Sequence, residues 1–116
     1  MTQEIIGRKR RVLDEMLLNR NNDNFIKELL SDPKQTAQAL RLLLSFFRDV
    51  LLLKNGVAKT ALVHQDCIGE MEKFAGRGIE ELDLIIRQIV QTKELLDEKL
   101  NVKMSMSLLR EHIWVN

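Results

Sequence analysis

Apolar side chains recur at three- and four-residue intervals along almost the whole chain, and no stretch alternates strictly between apolar and polar. That period turns one side of a helix toward a core, so it predicts an all-α chain folded as a single bundle of five to six helices. The first helix is expected over about residues 3 to 19, with Ile5, Val12, Leu13, Met16 and Leu17 on one face, before "NRNND" interrupts it. Asp23 or Asn24 can cap a short second helix carrying Phe25, Ile26, Leu29 and Leu30, because a short side-chain oxygen accepts from the open N–H groups of a first turn. "DPKQ" at 32–35 is the clearest start signal, with Asp32 as N-cap, Pro33 at the first helical position and Gln35 able to reach back as in a capping box. This third helix is expected to run to about Lys54, where Asn55-Gly56 supplies a left-handed residue. Asp66 is expected to cap a short fourth helix with Ile68, Met71 and Phe74, and Gly76 and Gly78 separate it from a fifth over about 79 to 100. The stripe of the fifth is Ile79, Leu82, Ile86, Ile89, Leu96 and Leu100, and a final helix holds Met104, Leu108, Leu109 and Ile113.

The third helix is unusual. On a helical wheel Lys34, Gln38, Arg41, Ser45, Arg48 and Asp49 share a polar arc of about 100°, and apolar residues fill roughly 220°. So wide a stripe fits either a central helix surrounded by the others or a helix that also packs against another subunit. Arg48 and Asp49 fall at the edge of the polar arc, so the wheel leaves both free to stay in water as a local salt bridge. Leu51 lies mid-stripe and is expected in the core.

Composition narrows the function classes. The 116 residues suit one domain, and 18 Lys+Arg against 17 Asp+Glu give no bulk field for nucleic acid, a membrane or an acidic partner. One cysteine, Cys67, allows no internal disulfide and no thiolate zinc cluster, and points to a reducing, cytoplasmic setting. The longest apolar runs fall far short of the roughly 20 residues that span a bilayer. His64 and His112 lack metal-ligand spacing, and a small buried side chain is the plain reading of Cys67, although a helix N-terminus can lower a thiol pKa. "GRG" at 76–78 has neither the spacing nor the Lys-Ser/Thr of a phosphate-binding loop, and Glu80, Glu81 and Asp83 suit the first turn of a helix better than paired-carboxylate catalysis. No catalytic residue, cofactor or metal is expected. "RKRR" at 8–11 spans about one turn, so its charges fan out as a solvated face instead of forming a stripe.

The order of short and long helices, together with "RRVLDEMLLN", "FFRDVLLLKNG" and "LLDEKLNVKMSMSLL", resembles the C-terminal collar domain of bacterial DNA polymerase III clamp-loader subunits. It looks closest to delta-prime, with the gamma/tau collar next. The residues that carry the likeness are Arg48, Asp49, Leu52, Lys54 and Asn101, while Lys103 and Met104 depart from the polar or proline residues common there. The resemblance implies an assembly domain, over residues 1–116, that packs with the collars of other clamp-loader subunits into a ring. The AAA+ nucleotide-binding modules of such subunits would lie ahead of it and are not in this sequence. Nucleic acid would then be met at most indirectly, and no small-molecule substrate or membrane is implied.

Within that reading the surplus apolar surface belongs to a seam between subunits, with Leu42, Phe46 and Leu53 on the third helix or Leu84 and Leu95 on the fifth as candidates. Two other classes remain open. One is a free-standing helical adaptor that grips a partner helix in an apolar groove; the other, more remote, is an enzyme using Cys67 with a histidine.

Overall fold

The computed structural model describes residues 9–18 and 23–114, so Ile5, Arg8 and the interruption at 19–22 lie outside the described residues. Helix α1 runs over 9–18, with α geometry at 9–13 and a π-helical turn at Asp14–Leu18. It is followed by α2 (Asp23–Leu30), α3 (Pro33–Lys54), α4 (Ile68–Ala75), α5 (Ile79–Asp97) and α6 (Lys103–Trp114). Two short 3₁₀ turns, Lys59–Ala61 and Gln65–Cys67, lie on the connection between α3 and α4. The described residues form an all-α bundle without a strand, as the apolar period predicts.

The termini of α3 show why it begins and ends where it does. Asp32 accepts the Lys34 backbone N–H at 3.0 Å, and Pro33 occupies the first helical position. The reach-back by Gln35 does not occur. The Asp32 N–H instead donates to the Leu29 carbonyl at 3.1 Å, so the tight turn from α2 already satisfies that donor. At the other end Gly56, at φ 84°, allows Gly56 N–H to bond Leu53 O and Val57 N–H to bond Leu52 O, a Schellman closure. The same closure ends α5, but with a lysine: Lys99 takes φ 59° while its N–H bonds Leu96 O and that of Leu100 bonds Leu95 O. This stops α5 at Asp97, three residues short of the sequence expectation.

The core is built around α3, which packs on α2, α4 and α5, while α6 packs on α5 and reaches α1. Phe46, Phe47 and Phe74 meet edge to face with centroids 5.2–6.0 Å apart at its centre. Leu40, Leu43, Val50, Leu82, Ile85, Ile89, Met106 and Leu109 are fully enclosed around them. The Trp114 indole N–H donates to the Met16 carbonyl at 3.2 Å, tying the end of α6 to α1.

Five wheel assignments shift. Leu51 is only half-buried, because Phe47 and Val50 take the innermost positions on that part of α3. On α5 the buried seam is Leu82, Ile85, Ile89 and Thr92; Ile86 and Leu96 flank it half-buried, while Ile79 at 58% and Leu100 at 53% are exposed. Both exposed residues stand at or beyond a helix end, past the reach of the core. Thr92 is tolerated inside because its hydroxyl donates to Gln88 O at 2.7 Å and also bonds Ser105. Asp23 and Asn24 lie within α2, so the position that would cap it falls on residue 22, outside the described residues. Asp66 does not cap α4 either; Cys67 precedes Ile68 without a side-chain cap, and Asp66 pairs with Lys9 at 2.9 Å.

Candidate functional site

The five residues that carry the family likeness divide into three that organise the fold and two that face outward. Asp49 is 2% exposed, which overturns the surface salt bridge expected of it. The connection from α3 to α4 folds back over the edge of α3, and Asp49 Oδ2 accepts the His64 backbone N–H at 2.7 Å. A carboxylate at the margin of the polar arc is thus covered by a loop that the wheel does not contain. Lys54 donates from Nζ to the Ala75 and Arg77 carbonyls at 3.0 and 2.8 Å, closing the C-terminal end of α4 and the turn into α5. Asn101 Oδ1 accepts the Lys103 N–H at 2.9 Å and covers an open donor at the start of α6. Arg48 is exposed and Leu52 is 42% exposed, one turn apart on the outside of α3.

Ser45, His64 and Asp49 come together, a combination that invites comparison with a nucleophile triad. Ser45 Oγ lies 2.8 Å from His64 Nε2. The third link is wired differently, however, since Asp49 holds the backbone N–H of His64, and His64 Nδ1 is buried with no hydrogen-bond partner. An imidazolium formed here would have no carboxylate on its second nitrogen. Burial, and next the positive charge of Lys9, push the His64 pKa below its ordinary value against the opposing pull of Asp49 and Asp66. The group is therefore a neutral hydrogen-bonding element of the loop. Cys67 is fully buried; burial and then the nearby Asp66 charge push its thiol up, so the activating effect of a helix start is absent. Its N–H donates to His64 O at 2.9 Å, while the His64 ring is engaged on Ser45. Among the described residues no group of three or more His, Cys, Asp or Glu side chains could hold a metal ion.

The described residues of the basic run, Lys9, Arg10 and Arg11, all enter ion pairs. Lys9 meets Asp66 at 2.9 Å, Arg10 meets Glu70 at 3.0 Å, and Arg11 grips Glu28 with two nitrogens at 2.6 and 3.0 Å. Arg11 also stacks over Phe25, its guanidinium carbon 5.4 Å from the ring centroid. The three charges fan out, as the sequence predicts, on an exposed face where they meet carboxylates of α2, the loop and α4.

The candidate contact residues are scattered. Phe46 is fully buried among aromatic rings and has no surface to offer a partner, so it leaves the set. Leu42 is half-buried and lines a groove of about 520 Å³ between α1, α2 and α3, together with Val12, Phe25, Leu29 and Ala39. Leu53 and Leu95 are half-buried, and Leu84 is 51% exposed. Several apolar residues outside the candidate set are also exposed, among them Val63 at 73% on the connection from α3 to α4, and Met104 at 77% and Leu108 at 46%, one turn apart on α6. Their spacing is legible in the sequence, but it does not say which side of that helix the core takes. Gln88 Nε2 donates to Ser105 Oγ at 2.8 Å across the α5–α6 seam, and Leu84 and Leu108 each stand one turn from that bond. No helix among the described residues is long and apolar enough to cross a membrane.

Comparison with curated proteins and with solved structures gave no match. A family model described as "DNA polymerase III, delta subunit, C terminal" matches residues 7–110, which takes in every helix described above except the end of α6. The chain therefore belongs to the family formed by the C-terminal domain of the DNA polymerase III delta subunit, a component of the clamp loader.

Proposed function

We propose that this domain is an assembly element of the clamp loader, packing beside the C-terminal domains of other subunits in a ring that supports ATP-driven loading of the sliding clamp. The observation that carries the reading is the family match over residues 7–110. The bare apolar residues Leu84, Met104 and Leu108 on α5 and α6 support it, because a contact between subunits needs apolar surface that the bundle itself does not cover. No catalytic step falls to this chain in this reading, and the ATPase modules belong elsewhere in the subunit. The three sequence segments favour delta-prime, whereas the matched family is that of delta, which makes delta the better supported of the two.

The test is reconstitution with each of the other clamp-loader subunits, followed by size-exclusion chromatography. Wild-type protein should co-elute with its neighbours, and the subunits it selects identify its own place in the ring. A variant with Leu84→Gln and Met104→Gln should keep its melting temperature and lose assembly by tenfold or more. Full assembly by that variant would place the seam elsewhere, and wild-type protein that joins no subunit would refute the reading. In that last case the α1–α2–α3 groove becomes the surface to probe for a partner helix.

A further inference from the structure

Lys9, Arg10 and Arg11 of the basic run are held in ion pairs, whereas three cations without an ion-pair partner are aligned on the helix that looks most apolar. Lys34, Arg41 and Arg48 are each exposed and stand seven residues apart on α3. Seven residues are close to two turns, so the three project from one strip with a rise of about 10.5 Å between neighbours and about 21 Å in all. Among the described residues none of the three side chains enters an ion pair or hydrogen bond.

The carboxylates on α3, at its start and on α2 and the loop beside it are engaged elsewhere. Asp49, the sole acid on α3, is buried on the His64 N–H, and Asp32 is turned onto the Lys34 backbone N–H. On the neighbouring elements Glu28 and Asp66 are held by Arg11 and Lys9. Gln38, exposed between Lys34 and Arg41, adds an uncharged donor. The result is a cationic ridge along α3 whose own carboxylate is turned inward.

We propose that this outer strip of α3 binds the sugar–phosphate backbone of a nucleic acid, with Lys34, Arg41 and Arg48 as its phosphate contacts. Regularly spaced cations without an apolar centre suit a phosphate polymer, which is held by charge and releases counterions on binding. An acidic protein surface is the less favoured occupant. A protein contact of ordinary size covers about 800 Å² on each side around an apolar centre, and this strip offers a single exposed apolar side chain, Leu52, at one end. Two of the three cations are arginines, whose fork engages phosphate oxygens in pairs. The inference is independent of the assembly reading, since it rests on α3 and uses none of the exposed residues of α5 and α6.

The test is fluorescence anisotropy of the 116-residue protein with labelled single-stranded and duplex oligonucleotides between about 50 and 200 mM salt. Three phosphate contacts give a slope of log Kobs against log salt of about −2 for a single strand and about −2.7 for a duplex. Lys34→Gln, Arg41→Gln and Arg48→Gln together should weaken binding at least tenfold at 50 mM salt and flatten the slope, with an unchanged melting curve. A control of equal net charge, Lys73→Gln with Lys93→Gln and Lys103→Gln, should bind within twofold of wild type. The proposal fails if wild-type protein binds neither oligonucleotide at 50 mM salt, if the strip variant binds as well as wild type, or if the control loses as much. It fails equally if the strip variant loses assembly with other subunits while its oligonucleotide affinity stays put, which would make the strip a protein contact.

Discussion

Replacing Asp49 by alanine separates a buried loop staple from the surface ion pair that the wheel of α3 suggests. The carboxylate is 2% exposed and accepts the His64 N–H at 2.7 Å, while Arg48, its neighbour in sequence, is exposed. A hydrogen bond to a charged acceptor contributes about 1.5–3 kcal/mol, and the alanine leaves a buried backbone N–H without a partner. Release of a desolvated carboxylate offsets part of that loss, so Asp49→Ala should cost about 2–3 kcal/mol. At about 4 °C per kcal/mol for a domain of this length, the melting temperature should fall by roughly 8–12 °C. Asp49→Asn keeps an oxygen acceptor and loses only the charge, with an expected cost of about 1 kcal/mol. Arg48→Ala should stay within about 0.5 kcal/mol of wild type. Thermal and urea melts followed by circular dichroism give the three values, and hydrogen exchange at the His64 amide should accelerate in the alanine variant alone. A loss below about 0.5 kcal/mol for Asp49→Ala, or an equal loss for Arg48→Ala, would refute the argument and restore the exposed pair.

Lys99, a non-glycine residue at φ 59°, should be improved by Lys99→Gly, with a gain of about 0.5–1 kcal/mol in a urea melt; a loss would mean that the lysine side chain contributes more than its backbone strain costs. Phe46→Ala should cost about 3–5 kcal/mol, and Leu51→Ala less than about 2 because its site is half open; reversal of that order would show the helix phase to be wrong. His64 has a folded pKa below its ordinary value of 6.5, so the unfolded chain takes up the proton more readily. Its contribution is complete above about pH 6.5 and is lost as pH falls from there toward the folded pKa. Melting temperature should therefore drop between pH 6.5 and 5 in wild type and drop less in His64→Gln, and parallel profiles would exclude His64 as the source.

The helices are legible because each one repeats its apolar residues often enough for the period to show, and because α3 begins at Asp32-Pro33 and ends at Asn55-Gly56. What the wheel cannot show is what a loop covers. Asp49 and Ser45 lie in the polar arc, yet the chain returning through His64 encloses one and bonds the other. Lys99 carries no sequence mark of a left-handed residue, so the apolar period alone carries α5 past its true end. Thr92 reads as polar surface but is hidden, since Gln88 and Ser105 satisfy its hydroxyl. Ion pairing is equally invisible: the sequence gives no indication that partners 17 to 60 residues away claim Lys9, Arg10 and Arg11. Part of the family likeness is legible because Asp49, Lys54 and Asn101 hold a loop, a turn and a helix start, roles that demand particular side chains.

The same division bears on whether assembly and phosphate binding can coexist. α3 and α5 pack against each other through their buried faces, so the Lys34–Arg41–Arg48 strip and the exposed side of α5 around Leu84 each turn away from the core they share. Sites that are well separated and share no partners combine additively, within about 0.3–0.5 kcal/mol. Combining Leu84→Gln and Met104→Gln with the three strip substitutions should therefore reproduce the assembly loss of the first set and the oligonucleotide loss of the second, each unchanged in size. Coupling beyond about 1 kcal/mol between the two sets would mean that one surface is completed only when the other is occupied. The basic strip would then have to be relocated to the seam between subunits, and its cations reassigned to a neighbouring protein chain.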